Sequence, residues 1–210
     1  EQDALITLKL WDNLSKKITQ QECSSIFELE IDLLPVLFEM KTKGVRVDVE
    51  KAHQTKKDLT KIEKSLVQEI VKETGVTIEP WVATSVAKVF DAVGLPYSRT
   101  EKAGAPMFTK QFLTNCSHPI AQKIVKIREI NKANTTFVDT ILEHSHNGRI
   151  HCDFHSLRSD GGGTVTGRFS SSNPNLQQIP ARDPEIKKLI RGLFIPEEGH
   201  KWGSFDYASQ

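Results

Sequence analysis

Two stretches of this chain repeat apolar residues at helical spacing over many turns, and they limit the possible folds more than any other feature. From Val49 to Thr74, Ala52, Leu59, Ile62, Leu66 and Ile70 form a narrow stripe among many Lys and Glu, with Asp48 as N-cap and Gly75 as stop. From Pro119 to about His144, Ile120, Ile124, Ile127, Phe137 and Ile141 lie on one side. A long helix with a thin apolar stripe cannot bury it alone. Two of them pack most economically on each other as an antiparallel pair.

Shorter elements surround this pair. Asp3 to Leu14 reads as a short amphipathic helix, with Leu5, Leu8 and Trp11 on one face. Ser25 and Glu28 make a capping-box start for a second helix, which runs to Gly44 and is kinked or restarted at Pro35. Val45-Arg46-Val47 is extended. Thr84 to Val93 is a short helix stopped by Gly94, Leu95 to Pro106 is a connector, and Thr109 caps a helix through Leu113. After Asn147-Gly148 the period changes to two: Ile150, Cys152 and Phe154 alternate with His151, Asp153 and His155, the pattern of a half-buried strand. Asp183-Pro184 opens a helix to about Arg191. Leu193 to Ile195 and Lys201 to Asp206 read as two strands around the turn Pro196 to Gly199. The fold class is therefore α+β and mostly helical: a long antiparallel helix pair, then the start of an antiparallel sheet.

Bulk properties exclude little. With 210 residues and a formal net charge of +1, the chain neither demands nor rules out a nucleic-acid partner. Cys23, Cys116 and Cys152 are too few and too scattered for a disulfide framework or a zinc site, which predicts a reducing, cytoplasmic setting. No apolar run is long enough to span a bilayer, so no membrane partner is expected. The chain opens in a helix and stops soon after an expected strand, as a piece of something longer would.

The chemistry concentrates in Thr166-Gly167-Arg168-Phe169-Ser170-Ser171-Ser172-Asn173-Pro174-Asn175-Leu176-Gln177-Gln178-Ile179-Pro180. A segment this polar is usually a solvated loop. Short hydroxyls and backbone amides also grip phosphates, however, and Arg, Asn and Gln reach base edges. Gly167 lets the backbone approach a ligand, and Asn175 and Gln177 flank an anchoring Leu176. Asp206 by itself is weak, because a strand-end aspartate is far more often a turn residue than a metal ligand. His151 and His155 lack a third ligand and read best as surface or hydrogen-bonded histidines. Lys56, Lys57, Lys61 and Lys64 read best as the wet face of a helix.

The ordered phrase from Thr166-Gly167-Arg168 to Ile179-Pro180, followed by Asp206-Tyr207, resembles the family A DNA polymerases of the bacterial polymerase I type. Leu34-Pro35-Val36-Leu37 through Gly44-Val45-Arg46-Val47-Asp48 is similar to the entry of that family's polymerase domain, and the two long helices resemble its thumb. Asp3-Ala4 through Trp11 resembles the last helix of the family's 3′–5′ exonuclease domain, with Asp3 at a metal-binding position. The resemblance implies three parts: 1–23, an exonuclease tail; 24–147, the helical thumb region; and 148–210, the first part of the palm. It implies Mg²⁺ as cofactor, with Asp206 holding the two catalytic metals. It also implies Arg168 in the minor groove at the primer end, template and primer contacts from Asn175, Gln177 and Gln178, phosphate contacts from Ser170, Ser171 and Ser172, and Arg182 near the incoming triphosphate. The partners are then primer-template DNA and, in the parent, deoxynucleoside triphosphates; a monomer is expected.

Three departures qualify the match. The loop Ser156 to Gly163 is insertion-like and is similar to phage-type members. Ala208-Ser209-Gln210 stands where many members read Ser-Gln, so Ser209 and Gln210 receive no role. The family's nucleotide-binding fingers helix and its second catalytic carboxylate are missing. The expectation is a part of a template-directed polymerase that is inactive by itself. The alternative is a non-catalytic module that clamps duplex DNA.

Overall fold

The structure, a computed structural model, describes residues 2–159, 162–180 and 183–208. It divides into two compact units, neither continuous in sequence: residues 1–44 with 151–177, and residues 45–150 with 178–210.

The second unit is built on the long helices. Asp48 accepts from the Lys51 amide at 2.9 Å and starts α3, Val49–Thr74; Gly75 ends it in the left-handed conformation. Its partner runs as α6, Pro119–Lys132, a π-helical segment, Ala133–Val138, and α7, Asp139–His144. Polar contacts fix the antiparallel register: Lys56 with Asp139 at 2.6 Å, Asn134 to Thr60 at 3.0 Å, Asn131 to Glu63 at 3.0 Å, and Lys123 to Glu69 at 3.0 Å. As residue numbers rise along α3, those of the partner fall. The expected stripe is buried at Ala52, Leu59, Ile70, Ile120, Ile124, Ile127 and Ile141; Ile62 faces outward and is 45% exposed.

At the far end of this pair sit α4, Ala83–Ala92, and α5, Lys110–Asn115, the latter capped by Thr109. The connector between them holds a small hairpin, β2, Ser98–Arg99, with β3, Pro106–Met107. Phe90 is fully buried beneath Phe108, with ring centroids 4.8 Å apart, and against Tyr97 and Phe112. Arg128 donates to the Pro80 and Phe108 carbonyls and lies over the Trp81 ring, so one cation closes the loop onto α6.

At the near end, β1, Val45–Arg46, pairs antiparallel with β5, Arg149–Ile150, which pairs with β4, Ser145–His146. Asn147 and Gly148 turn the hairpin, both with positive φ, as a two-residue turn of mirror-image twist requires. The Asp183 carboxylate caps α8, Pro184–Arg191, at 2.8 Å, and Lys126 ties that helix to α6 through Glu185 at 2.6 Å. The chain then returns past β1, where the Asp48 amide donates to the Leu193 carbonyl at 2.8 Å.

The first unit holds α1, Gln2–Gln20, and α2, Ser24–Lys43. Trp11 meets Phe27 at 5.7 Å, yet no residue of either helix is buried. Its sheet is two short antiparallel strands, β6, Asp153–His155, and β7, Ser170–Ser172.

Several expectations are corrected. The first helix is longer than Asp3 to Leu14. The second starts at Ser24 behind Cys23, which makes no side-chain cap, so Ser25 lies inside the first turn and not at the cap. It runs through Pro35 without a restart, leaving only the bonding of that one amide to be lost. The strand expected from Ile150 to His155 is two strands in two sheets, because at His151-Cys152 the chain leaves one set of partners for another. Lys201 to Asp206 forms no strand among the described residues, and Phe194 makes only an isolated bridge to Val47. An alternating segment without a ladder partner has nothing to hold it extended.

Candidate nucleic-acid interface

The polar stretch is partly sheet. Ser170, Ser171 and Ser172 form β7 opposite His155, Phe154 and Asp153. The alternation of a strand puts Ser171 inward, where it is buried and donates to Asn175 Oδ1 at 3.3 Å. Ser170 Oγ accepts from the Gly163 amide at 2.9 Å, and Ser172 Oγ shares a 2.8 Å hydrogen bond with His155 Nε2. All three hydroxyls are thus engaged inside the unit. Gly163 has φ +95°, and a Cβ there would lie 2.1 Å from the Leu157 carbonyl oxygen, so the approach of the preceding loop demands glycine.

What the strand presents is different. Arg168 is exposed, follows Gly167 at φ +72°, and its side chain has no partner among the described residues. Its carbonyl is fixed by Thr164 Oγ1 at 2.8 Å. Asn175 Oδ1 accepts from the Gln177 amide at 3.1 Å, and Gln177 Nε2 donates to the Phe169 carbonyl at 2.9 Å. These bonds use one end of each amide. Asn175 Nδ2 and Gln177 Oε1 remain on exposed side chains, a donor and an acceptor on a braced turn. Leu176 is half-buried as the anchor between them, at the start of the 3₁₀ turn Leu176–Gln178.

The structure brings Arg168, Ser170, Ser171, Ser172, Asn175 and Gln177 together in the first unit, whereas exposed Gln178 and Asp206 belong to the second. Asp206 sits in irregular chain between Phe205, 97% exposed, and Tyr207, 86% exposed. Asp3 lies in the exposed first turn of α1, where its carbonyl accepts from Thr7. Arg182 falls outside the described residues, as do Ser209 and Gln210. His151 Nδ1 lies 2.8 Å from the Lys41 carbonyl, and His155 is spent on Ser172, so both are hydrogen-bonded histidines. Lys56 pairs with Asp139, while Lys57, Lys61 and Lys64 have no ion partner among the described residues. The three cysteines are free, and burial pushes the Cys152 thiol up from its ordinary value.

A magnesium ion takes about six oxygen ligands in near-octahedral array, usually one or two carboxylates with substrate phosphates and water. No group of three or more His, Cys, Asp or Glu converges among the described residues. Asp206 alone does not assemble such a site. No described helix is long and apolar enough to cross a membrane.

Lys41 and Asp153 were not legible as part of this surface, and Asn173, although in the polar stretch, receives no role from the sequence. Alternation along β6 put Asp153 on the outward face, but nothing in the sequence marks Lys41 as its partner 112 residues away.

A mostly helical fold with small antiparallel sheets is consistent with a polymerase domain. Residues 49–210 match DNA polymerase family A, so this chain belongs to that family. It is 33% identical over 220 residues to a DNA-directed DNA polymerase of Pseudomonas phage M6, covering 100% of this chain and 33% of that one. It is 34% identical over 211 residues to a thermostable DNA polymerase I of Thermus filiformis, covering 98% of this chain and 25% of the other. Among solved structures, the POL domain of Pol1 from M. smegmatis, in complex with DNA primer-template and dNTP, matches with a TM-score of 0.75. That match has 26% identity and covers 92% of this chain and 34% of the other. The chain therefore spans a third or less of the length of these relatives.

Proposed function

We propose that this chain is part of a template-directed DNA polymerase that adds deoxynucleotides to a primer 3′-end, and that its own share of the work is to hold primer-template duplex. The observation that carries the reading is Arg168 with Asn175 and Gln177: exposed polar groups on a turn fixed from behind by its own hydrogen bonds. Every base pair offers a minor-groove acceptor at purine N3 or pyrimidine O2. A guanidinium there tests pair shape without reading sequence. Gln178 extends the same run, and the family resemblance assigns it, Asn175 and Gln177 to template and primer contacts. Arg182 takes the incoming triphosphate by that same resemblance. The serines serve first as the frame of this turn. Ser170 accepts with its oxygen and keeps its own proton for a phosphate, and Ser172 does so in one His155 tautomer.

In the parent, Asp206 contributes one carboxylate to a Mg²⁺-dependent centre for phosphoryl transfer. Among the described residues no group of three or more metal-ligating side chains gathers, and we assign the remaining ligands of that centre to the longer parent. Asp3 is the matching proposal for an exonuclease-like metal site.

The test is duplex affinity by fluorescence anisotropy, using a labelled primer-template and a range of salt. Arg168→Ala is expected to weaken binding about tenfold, the worth of one charged hydrogen bond. An unchanged affinity would return the polar stretch to an ordinary loop.

A further inference from the structure

The turn that displays Asn175 and Gln177 is tied down from outside its own sequence. Asp153 lies opposite Ser172 in the β6–β7 ladder. One of its carboxylate oxygens accepts from the Lys41 ammonium at the end of α2, and the other accepts from Asn173 Nδ2 at 3.0 Å. Asn173 is the first residue after β7 and has φ 52°, a left-handed conformation that costs most side chains about 1–2 kcal/mol. Asparagine tolerates it when its amide finds a local partner, and here the partner is Asp153. Two residues on, Asn175 receives Ser171 and the Gln177 amide. The end of α2 is held a second time, through the Lys41 carbonyl and His151. The two donors also hold the Asp153 carboxyl below its ordinary value, Lys41 contributing most.

We propose that Asp153 is a positioning residue for the duplex-contacting stretch: by bridging Lys41 to Asn173 it fixes the left-handed turn after β7 and so aims Asn175 and Gln177. This rests on the duplex-holding reading above. Asp153 is not itself a contact, and that gives the idea an unusual sign. A bystander carboxylate near a phosphate track repels it, so neutralising one strengthens binding. Neutralising a positioning carboxylate weakens binding. The Lys41 and Asp153 side chains are 52% and 31% exposed, and such pairs contribute little to global stability. The effect is therefore local geometry, not unfolding.

Two measurements on the 210-residue chain decide it. The first is hydrogen–deuterium exchange across residues 169–177 without DNA; the second is duplex affinity. Asp153→Asn keeps the shape but turns an amide NH₂ toward one of the two donors, and Asp153→Ala removes both acceptors. Both substitutions are expected to speed exchange in that segment and to weaken duplex binding, each about tenfold. Adding Asn173→Gly to Asp153→Ala should cost little more, because the Asn173 bond is already lost and glycine adopts the left-handed conformation freely. The exchanged pair Lys41→Glu with Asp153→Lys should recover protection, since a lysine at 153 can donate to Asn173 Oδ1. Unchanged exchange in Asp153→Asn overturns the proposal whatever the DNA result. Faster exchange with equal or tighter duplex binding overturns it too. If the unsubstituted chain binds no duplex, faster exchange still supports the brace, and the duplex-holding reading is the one that fails.

Discussion

At the scale of single residues, two glycines look interchangeable on paper and are not: Gly163, at the end of the loop before the polar phrase, and Gly167 within it. Both have positive φ, but a Cβ on Gly163 meets the Leu157 backbone at 2.1 Å, whereas one on Gly167 meets nothing within 4 Å. Gly167→Ala is expected to cost about 1 kcal/mol, the strain of the left-handed region alone. Gly163→Ala adds a clash with backbone that cannot swing aside, and should cost about 2 kcal/mol or more. Chemical denaturation midpoints of the two variants give the comparison; equal losses would mean that the loop yields. Local chemistry of this kind divides the legible from the hidden. Asp48, Thr109 and Asp183 were readable as caps because the amide each accepts from lies three residues on. The serines were readable as donors, but not as a strand: their partners are the residues of β6, across a loop that carries no periodicity.

At the scale of elements, the helix pair was the most legible part of the chain, since its period persists long enough to exceed chance. The π-helical segment was not, because bonding to the fifth residue instead of the fourth leaves no compositional mark. It sits where buried Asn134 reaches Thr60 across the pair. Elsewhere the pair is pinned by charge. Lys123 is the main example: the hydrogen bonds its ammonium donates to Glu73 first, then to Glu69, raise its pKa above the ordinary lysine value. A group whose folded pKa is raised contributes stability below its unfolded pKa and loses that contribution as pH rises through the folded value. Lys123→Met should therefore lower stability at neutral pH by less than about 1 kcal/mol, given the exposure of both glutamates. The gap to the unsubstituted chain should close as pH rises through the raised folded value, in strongly alkaline solution. Denaturant titrations at neutral and alkaline pH measure it; a gap that persists at high pH would assign the loss to the lysine stem.

At the scale of the molecule, the family could be read from one ordered phrase and the helix pair, whereas the division into units could not. Gly44 and the change of period after Gly148 read as the ends of elements, and nothing in the sequence marks them, or Gln177, as places where the chain passes between units. Those crossings are set by which distant segments find each other. That no group of three or more metal-ligating side chains converges among the described residues also belongs to this scale. In a primer-extension assay with Mg²⁺ or Mn²⁺, the 210-residue chain should give no product above background. Extension would show that it assembles a working centre although no group of three or more such ligands converges among the described residues. The interleaving of the units has a further consequence during synthesis. A ribosome releases the chain in order, yet the end of α2 must wait for β6 before Asp153 can hold it, and α8 reaches the long helices only after β6 and β7 have been made. Each unit is interrupted by a piece of the other, so neither can close while its partner is still unmade. Domains that are contiguous in sequence can fold one after another as they emerge. Residues 1–44 must stay open until residues 151–177 have been translated.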